Sequence, residues 1–120
     1  MKAFWASVIL FGVMLILIIG NAAYIHETTD RIRLFDSALD NRSDRAEVLS
    51  DLNTFWSARR RIISLSVGYE QLDHLTETID CLRWADSISD EAEFERYRIL
   101  LRDAIDEIER TENFSVENLF

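Results

Sequence analysis

Residues 3–25 read AFWASVILFGVMLILIIGNAAYI, and residues 26–39 run on as HETTDRIRLFDSAL with no glycine or proline to interrupt them. The first stretch holds no charge, and its only strongly polar residues are Ser7 and Asn21. At roughly 1.5 Å per residue it is long enough to cross about 30 Å of hydrocarbon. Phe4 and Trp5 stand at one end and Tyr24 at the other. Trp5 and Tyr24 are separated by roughly 28 Å of helix, the spacing of two interfacial aromatic belts. The stretch is therefore expected to be a retained transmembrane anchor over residues 1–25, followed by a helical domain over 26–120. Two rival readings exist. Gly20-Asn21-Ala22 offers small residues to a signal peptidase, although the positive region ahead of the run is one lysine and the amino terminus. A buried core helix is the other, but hydrophobicity on every side is rare in so small a domain. Lys2 and the amine favour the amino terminus inside the cell, whereas Arg31 and Arg33 pull the other way. An acidic domain after a short tail favours an extracytoplasmic C-terminal part at the cell membrane.

The rest of the 120 residues bears this helical reading out in composition: no proline, and glycine only at positions 12, 20 and 68. No stretch alternates like a strand. The fold class expected is all-α, with the anchor helix continuing into a small antiparallel bundle of about four helices. The first helix carries apolar residues at Ile25, Ile32, Phe35 and Leu39. A turn-like cluster, Asp40-Asn41-Arg42-Ser43, follows, with Ser43 or Asp44 as the cap of a second helix. That helix has the stripe Leu49, Leu52, Trp56, Ile63. Beyond Gly68 the stripe Leu72, Leu75, Ile79, Leu82 falls on a different face of a continued helix, so a turn is placed at Val67–Tyr69. Asp90 and Glu93 have capping-box spacing before the fourth stripe, Phe94, Tyr97, Leu101, Ala104, Ile105 and Ile108. The ending NFSVENLF reads as one more capped turn, with Ser115 as its cap and Phe114 and Leu119 at staple positions.

Charge is unevenly placed. Residues 1–25 carry only Lys2; residues 26–66 balance seven Arg against seven acids; residues 67–120 set five Arg against fifteen acids. The net charge of −9 repels nucleic acid, which excludes that partner class. The seven Arg of 26–66 are expected to pair with the acids of their own segment. The acids of the distal half would then seek divalent cations or a basic partner.

Phe55-Trp56, Glu70-Gln71-Leu72-Asp73, Leu82-Arg83 and Phe114–Phe120 together resemble a family of short bacterial single-pass membrane-anchored proteins, the domain of unknown function four-three-six-three. The resemblance covers nearly the whole chain and brings no known activity. Family members carry a histidine near the junction of helices two and three, where Tyr69 stands here, with His74 further on. Members are often encoded beside a multi-pass membrane protein, which implies a membrane partner.

Single residues sharpen the picture. Arg59 lies within the second helix's apolar stripe, while Arg61 points away. Either its stem packs with the guanidinium at the edge, or it forms a half-buried pair with an acid of helix three or four. Arg45 and Asp86 extend the stripes of helices two and three, and a hairpin turning near Gly68 would bring them together. Trp56 is a core residue. Trp84 falls on the polar side of helix three and either covers a neighbouring helix or marks a contact surface. Glu70, Asp73 and Glu77, with His74 and Asp80, form an acidic strip. Carboxylate-bridged metal bundles need a Glu-x-x-His from each of two helices, which is not met here, so the strip reads as a solvated face. Lone Cys81 allows no internal disulfide, and with two histidines a zinc site is out of reach. No nucleophile–base pair or phosphate loop is present, so no cofactor or catalysis is expected. The functional expectation is an interaction or accessory protein, docking a membrane partner or itself. The alternative is an extracytoplasmic ligand- or cation-sensing module read out through the first helix.

Overall fold

The computed structural model describes residues 1–64 and 67–119, with side chains described through Asn113. Four helices make the structure: α1 (Lys2–Ala38), α2 (Arg45–Ile63), α3 (Tyr69–Ser87) and α4 (Glu91–Leu119). A 3₁₀ turn, Arg42–Asp44, precedes α2. Among the described residues there is no strand. Each helix packs antiparallel on its neighbour in the chain, and α4 closes the ring against α1. The particle is a rod of 67 × 22 × 20 Å, because α1 projects far beyond the bundle.

The long first helix holds together because nothing in 21–39 breaks it. It is one helix of 37 residues, half of it bare and half of it a bundle member. Ile25, Ile32 and Leu39 are buried, with Thr28, Thr29 and Asp36 between them, and Phe35 packs at the rim. The apolar run and the bundle overlap. Ile25 is only 1 % exposed, and Asn21, Ala22 and Tyr24 are half-buried, so the bundle grips the last turn of the stretch that composition assigned to the membrane.

The core stripes of the other helices match the helical phase. Leu49, Leu52, Trp56 and Ile63 on α2 are buried, as are Leu72, Leu75, Ile79 and Leu82 on α3, and Phe94, Leu101, Ala104, Ile105 and Ile108 on α4. Tyr97 is only partly buried. Trp56 Nε1 donates to Thr76 Oγ1 at 2.9 Å, so the indole enters the core without stranding its N–H.

The helix ends show what local signals decide. Asp44 stands at the N-cap of α2, as expected, but its side chain makes no capping bond there. The capping bond belongs to the 3₁₀ turn: Asn41 Oδ1 accepts from the Ser43 N–H at 3.2 Å while its Nδ2 donates to Asp44 at 2.8 Å. The turn after α2 falls where the phase change required it: α2 ends at Ile63, and Gly68 stands before α3 in an ordinary extended conformation. Asp90 caps α4 as its spacing indicated, its Oδ1 accepting from the Glu93 N–H at 3.1 Å. Its own N–H bonds back to the Ala85 carbonyl at 3.0 Å instead of to Glu93. That bond closes α3 in Schellman fashion around Ser89, whose φ of 55° is left-handed. The ending is not a separate capped turn: the α4 backbone stays helical through Leu119. The staple expected of Phe114 and Leu119 lies outside the described side chains.

Candidate functional site: an arginine-clamped stem

The lower part of α1 is both the end of the bare helix and one wall of the bundle. Arginines of α2 and α4 reach across to it, and it sends one arginine back.

The deepest contact is one that the apolar stripes concealed. Arg98 sits in line with Phe94, Leu101 and Ile105 and is 4 % exposed. Its Nε donates to Asp36 Oδ1 at 3.1 Å and one terminal nitrogen to the Asp36 carbonyl at 2.9 Å. The other terminal nitrogen donates to Asp40 at 2.8 Å. Arg102 Nε takes the second Asp36 oxygen at 2.8 Å. Burial alone would lower the Arg98 pKa, but hydrogen bonds to Asp40 and Asp36 outweigh it and leave it raised. The guanidinium therefore enters the core as a charged, fully partnered group. No described buried side-chain nitrogen or oxygen lacks a partner.

One turn lower, Arg33 of α1 donates to Asp106 at 2.7 Å and to Glu109 at 2.8 Å, and these hydrogen bonds raise its pKa despite partial burial. Thr29 Oγ1 donates to the other Glu109 oxygen at 2.7 Å. His26, Asp30 and Glu109 bring ligand-bearing atoms within 4.8 Å of one another. Both Glu109 oxygens are already engaged by Thr29 and Arg33, so this trio reads as part of the ion-pair ladder.

Arg59 fills the opposite side of the stem. Its guanidinium lies between the rings of Tyr24, 4.7 Å away, and Phe55, 4.9 Å away. It donates to Thr28 Oγ1 at 3.3 Å and sits 3.7 Å from Glu27. The packed stem and half-covered head match one sequence expectation. The partner does not: the acid belongs to α1, because the Arg59 face of α2 turns toward α1 and away from α3.

Arg45 corrects a second expectation. It does not meet Asp86, which is half-buried on α3. Its Nε donates to the Leu39 carbonyl at 2.8 Å, its head stacks 4.1 Å from the Phe94 ring, and it pairs with Glu91. Arg42 joins the same Glu91 at 3.4 Å. The first turn of α4 stands nearer the start of α2 than the last turn of α3 does. Arg45 thus caps the C-terminus of α1 and ties it to α4.

The acidic strip stays outside. Glu70, Asp73, His74 and Glu77 are exposed, and Asp73 pairs with Arg60. His74, Glu77, Cys81, Tyr97 and Leu100 line a shallow groove between α3 and α4. Trp84 of α3 is 52 % exposed. The charge segments also mix. Arg33, Arg42, Arg45 and Arg60 of the neutral segment pair with acids of the distal half, and Arg98 and Arg102 pair back to Asp36 and Asp40. The arginines of 26–66 were expected to pair within their own segment, but four of them reach acids of the distal half, because helices adjacent in space decide the pairing.

No family model matches the chain, and comparison with curated proteins and with solved structures finds no match either.

Proposed function

We propose that this is a single-pass, membrane-anchored accessory protein whose acidic bundle lies outside the cytoplasm and docks a membrane partner. The observation that carries the reading is α1 itself. One unbroken helix is wholly uncovered over an 18-residue apolar window and is clamped by arginines over its lower half. An uncovered apolar helix in water would associate or aggregate; in a bilayer it is at its lowest free energy. The resemblance to the membrane-anchored family of unknown function points the same way, toward interaction rather than catalysis. The exposed acids of α3 and α4, with Trp84 among them, are the surface we assign to the partner.

The test is a tag at each end of the full chain, followed by crosslinking in native membranes and mass spectrometry of what co-purifies. One membrane-bound species retaining both tags, with a stoichiometric membrane-protein partner, is the expected outcome. A soluble species lacking the first tag would overturn the anchor. A second reading, a sensor, draws on the same continuity, since any shift of the bundle is passed directly to the span. It predicts saturable stabilisation by a small molecule or cation, absent for an accessory subunit.

A further inference from the structure

The helix registers fix how high the bundle stands on its stem. On α2, Arg45 meets the Leu39 carbonyl, Phe55 meets Phe35 with ring centroids 5.6 Å apart, and Arg59 meets Thr28 and Tyr24. The two helices run antiparallel, so Arg61–Ile63 lie level with residues 24–26. On α4, Asp106 and Glu109 meet Arg33, and further down Glu112 and Asn113 share a groove with Ile19, Ala22 and Ala23. On α3, Gln71 donates to Thr111 at 2.9 Å, which places Tyr69 level with Asn113. These registers put Ile62 and Tyr69 level with residues 24–26 of α1, while the α4 groove and the backbone beyond it reach to Ile19.

Only residues 2–18 are then left free of the bundle. About seventeen residues at roughly 1.5 Å each make about 26 Å of helix, which barely spans the hydrocarbon and leaves no spacer. A bundle seated this low meets the lipid headgroups. Its tip is built for that meeting. Ile62 is 50 % exposed and Tyr69 is 70 % exposed, both at the end of the rod from which the span leaves. Arg61, next to Ile62 in the chain, is exposed and, among the described residues, has no ion pair. An aliphatic, an aromatic and a free guanidinium are the side chains that partition into the interfacial layer. Glu70 is exposed beside Tyr69, and Glu112 lies across the tip, so the charge there is mixed. The match to lipid rests on the free Arg61 and the two apolar groups together.

We propose that the Arg61–Ile62–Tyr69 tip is a second membrane contact, seated in the headgroup layer with Arg61 on lipid phosphate. It rests on the reading of α1 as a span and makes the bundle a body held upright on the bilayer. The partner surface on α3 and α4 would then face a fixed direction.

The test uses the full chain with Cys81→Ser, reconstituted in phosphatidylcholine vesicles with a minor share of phosphatidylglycerol. Single cysteines replace Leu10, Ile62, Tyr69 or Ile88, each carrying an environment-sensitive fluorophore. The quenchers are lipids bearing a nitroxide on the headgroup or on the acyl chain. Headgroup quenching is expected to be several-fold stronger at 62 and 69 than at 88, which is exposed at the far end. Acyl-chain quenching is expected at 10. R61E should weaken the quenching at 62 while leaving the thermal midpoint in detergent unchanged. Quenching at 62 and 69 no stronger than at 88, with 10 still quenched, would overturn the tip contact and leave the anchor standing. Loss of quenching at 10 would overturn the anchor and the tip contact with it. Unchanged quenching in R61E would remove Arg61 from the contact.

Discussion

Residues 2–20 and residues 21–38 belong to one helix, yet one half is bare and the other is a bundle member. The upper half is apolar on every side and touches almost nothing else in the protein; its exposed residues include Phe4, Trp5, Ile9, Leu10 and Ile16. The lower half has a narrow apolar stripe, and its polar positions are held by side chains from two other helices. The difference teaches how such a helix is positioned. A cylinder apolar on every side has no preferred face, so the N-terminal half carries little orientational information. The lower half is fixed in rotation and height because Asp36, Thr29, Thr28 and the Leu39 carbonyl each meet a specific partner. Register is decided in the half that the bundle clamps and inherited by the bare half of the same helix.

The comparison breaks most sharply at Arg98. Arg98→Met leaves Asp36 buried with only the half-exposed Arg102, and it should cost about 3 kcal/mol in detergent, as removal of one partner from a buried pair does. Adding Asp36→Asn should recover more than half of that loss. A single-variant loss below about 1 kcal/mol would mean that the stem is not held by this pair. On the other side of the stem, Arg59→Ala should cost about 1–3 kcal/mol through lost stem packing and a lost cation–π sandwich. Arg61→Ala should stay within about 0.5 kcal/mol, as exposed substitutions do. Equal shifts of the denaturant midpoint would refute the assigned phase of α2. Away from the stem, Ser89→Gly relieves the left-handed residue that closes α3 and should stabilise by about 0.5–1 kcal/mol.

The smallest effect lies at the boundary itself. Burial raises the Glu112 carboxyl pKa. The folded state therefore holds this proton to higher pH than the unfolded chain does. That contribution to stability is complete below the ordinary glutamate range and is lost as pH rises through the raised folded value. Glu112→Gln should be slightly more stable than the native chain at neutral pH, with the difference vanishing toward acid. A constant difference across pH, followed by thermal midpoint, would show that the residue is solvated.

Periodicity made the core of this bundle legible. Leu49, Leu52, Trp56, Leu72, Leu75, Ile79, Leu82, Phe94, Leu101 and Ile105 are all buried where a 3.6-residue period puts them. The same method hides Arg98 and Asp36, charged residues that occupy buried positions alongside their apolar stripes. Arg59 was noticed because its stripe flanks were strongly apolar, yet its partner was sought on the wrong helix. An arginine inside a stripe signals a buried acid somewhere, but the period alone does not say on which neighbour.

The sequence by itself determined the helices, their phases, the turn between α2 and α3, the Asp90 cap and the uncharged run in α1. All of these arise from side-chain spacing, capping chemistry and composition within a few residues. Only the tertiary structure decided which helices adjoin, and with that every long-range ion pair: Arg98 with Asp36, Arg45 with Glu91, Arg59 with Glu27. It also decided that the bundle reaches down to Ile19 and Ala22 on its stem. A charge can pair with any opposite charge within reach, and reach is a property of the packed helices, which no local pattern contains.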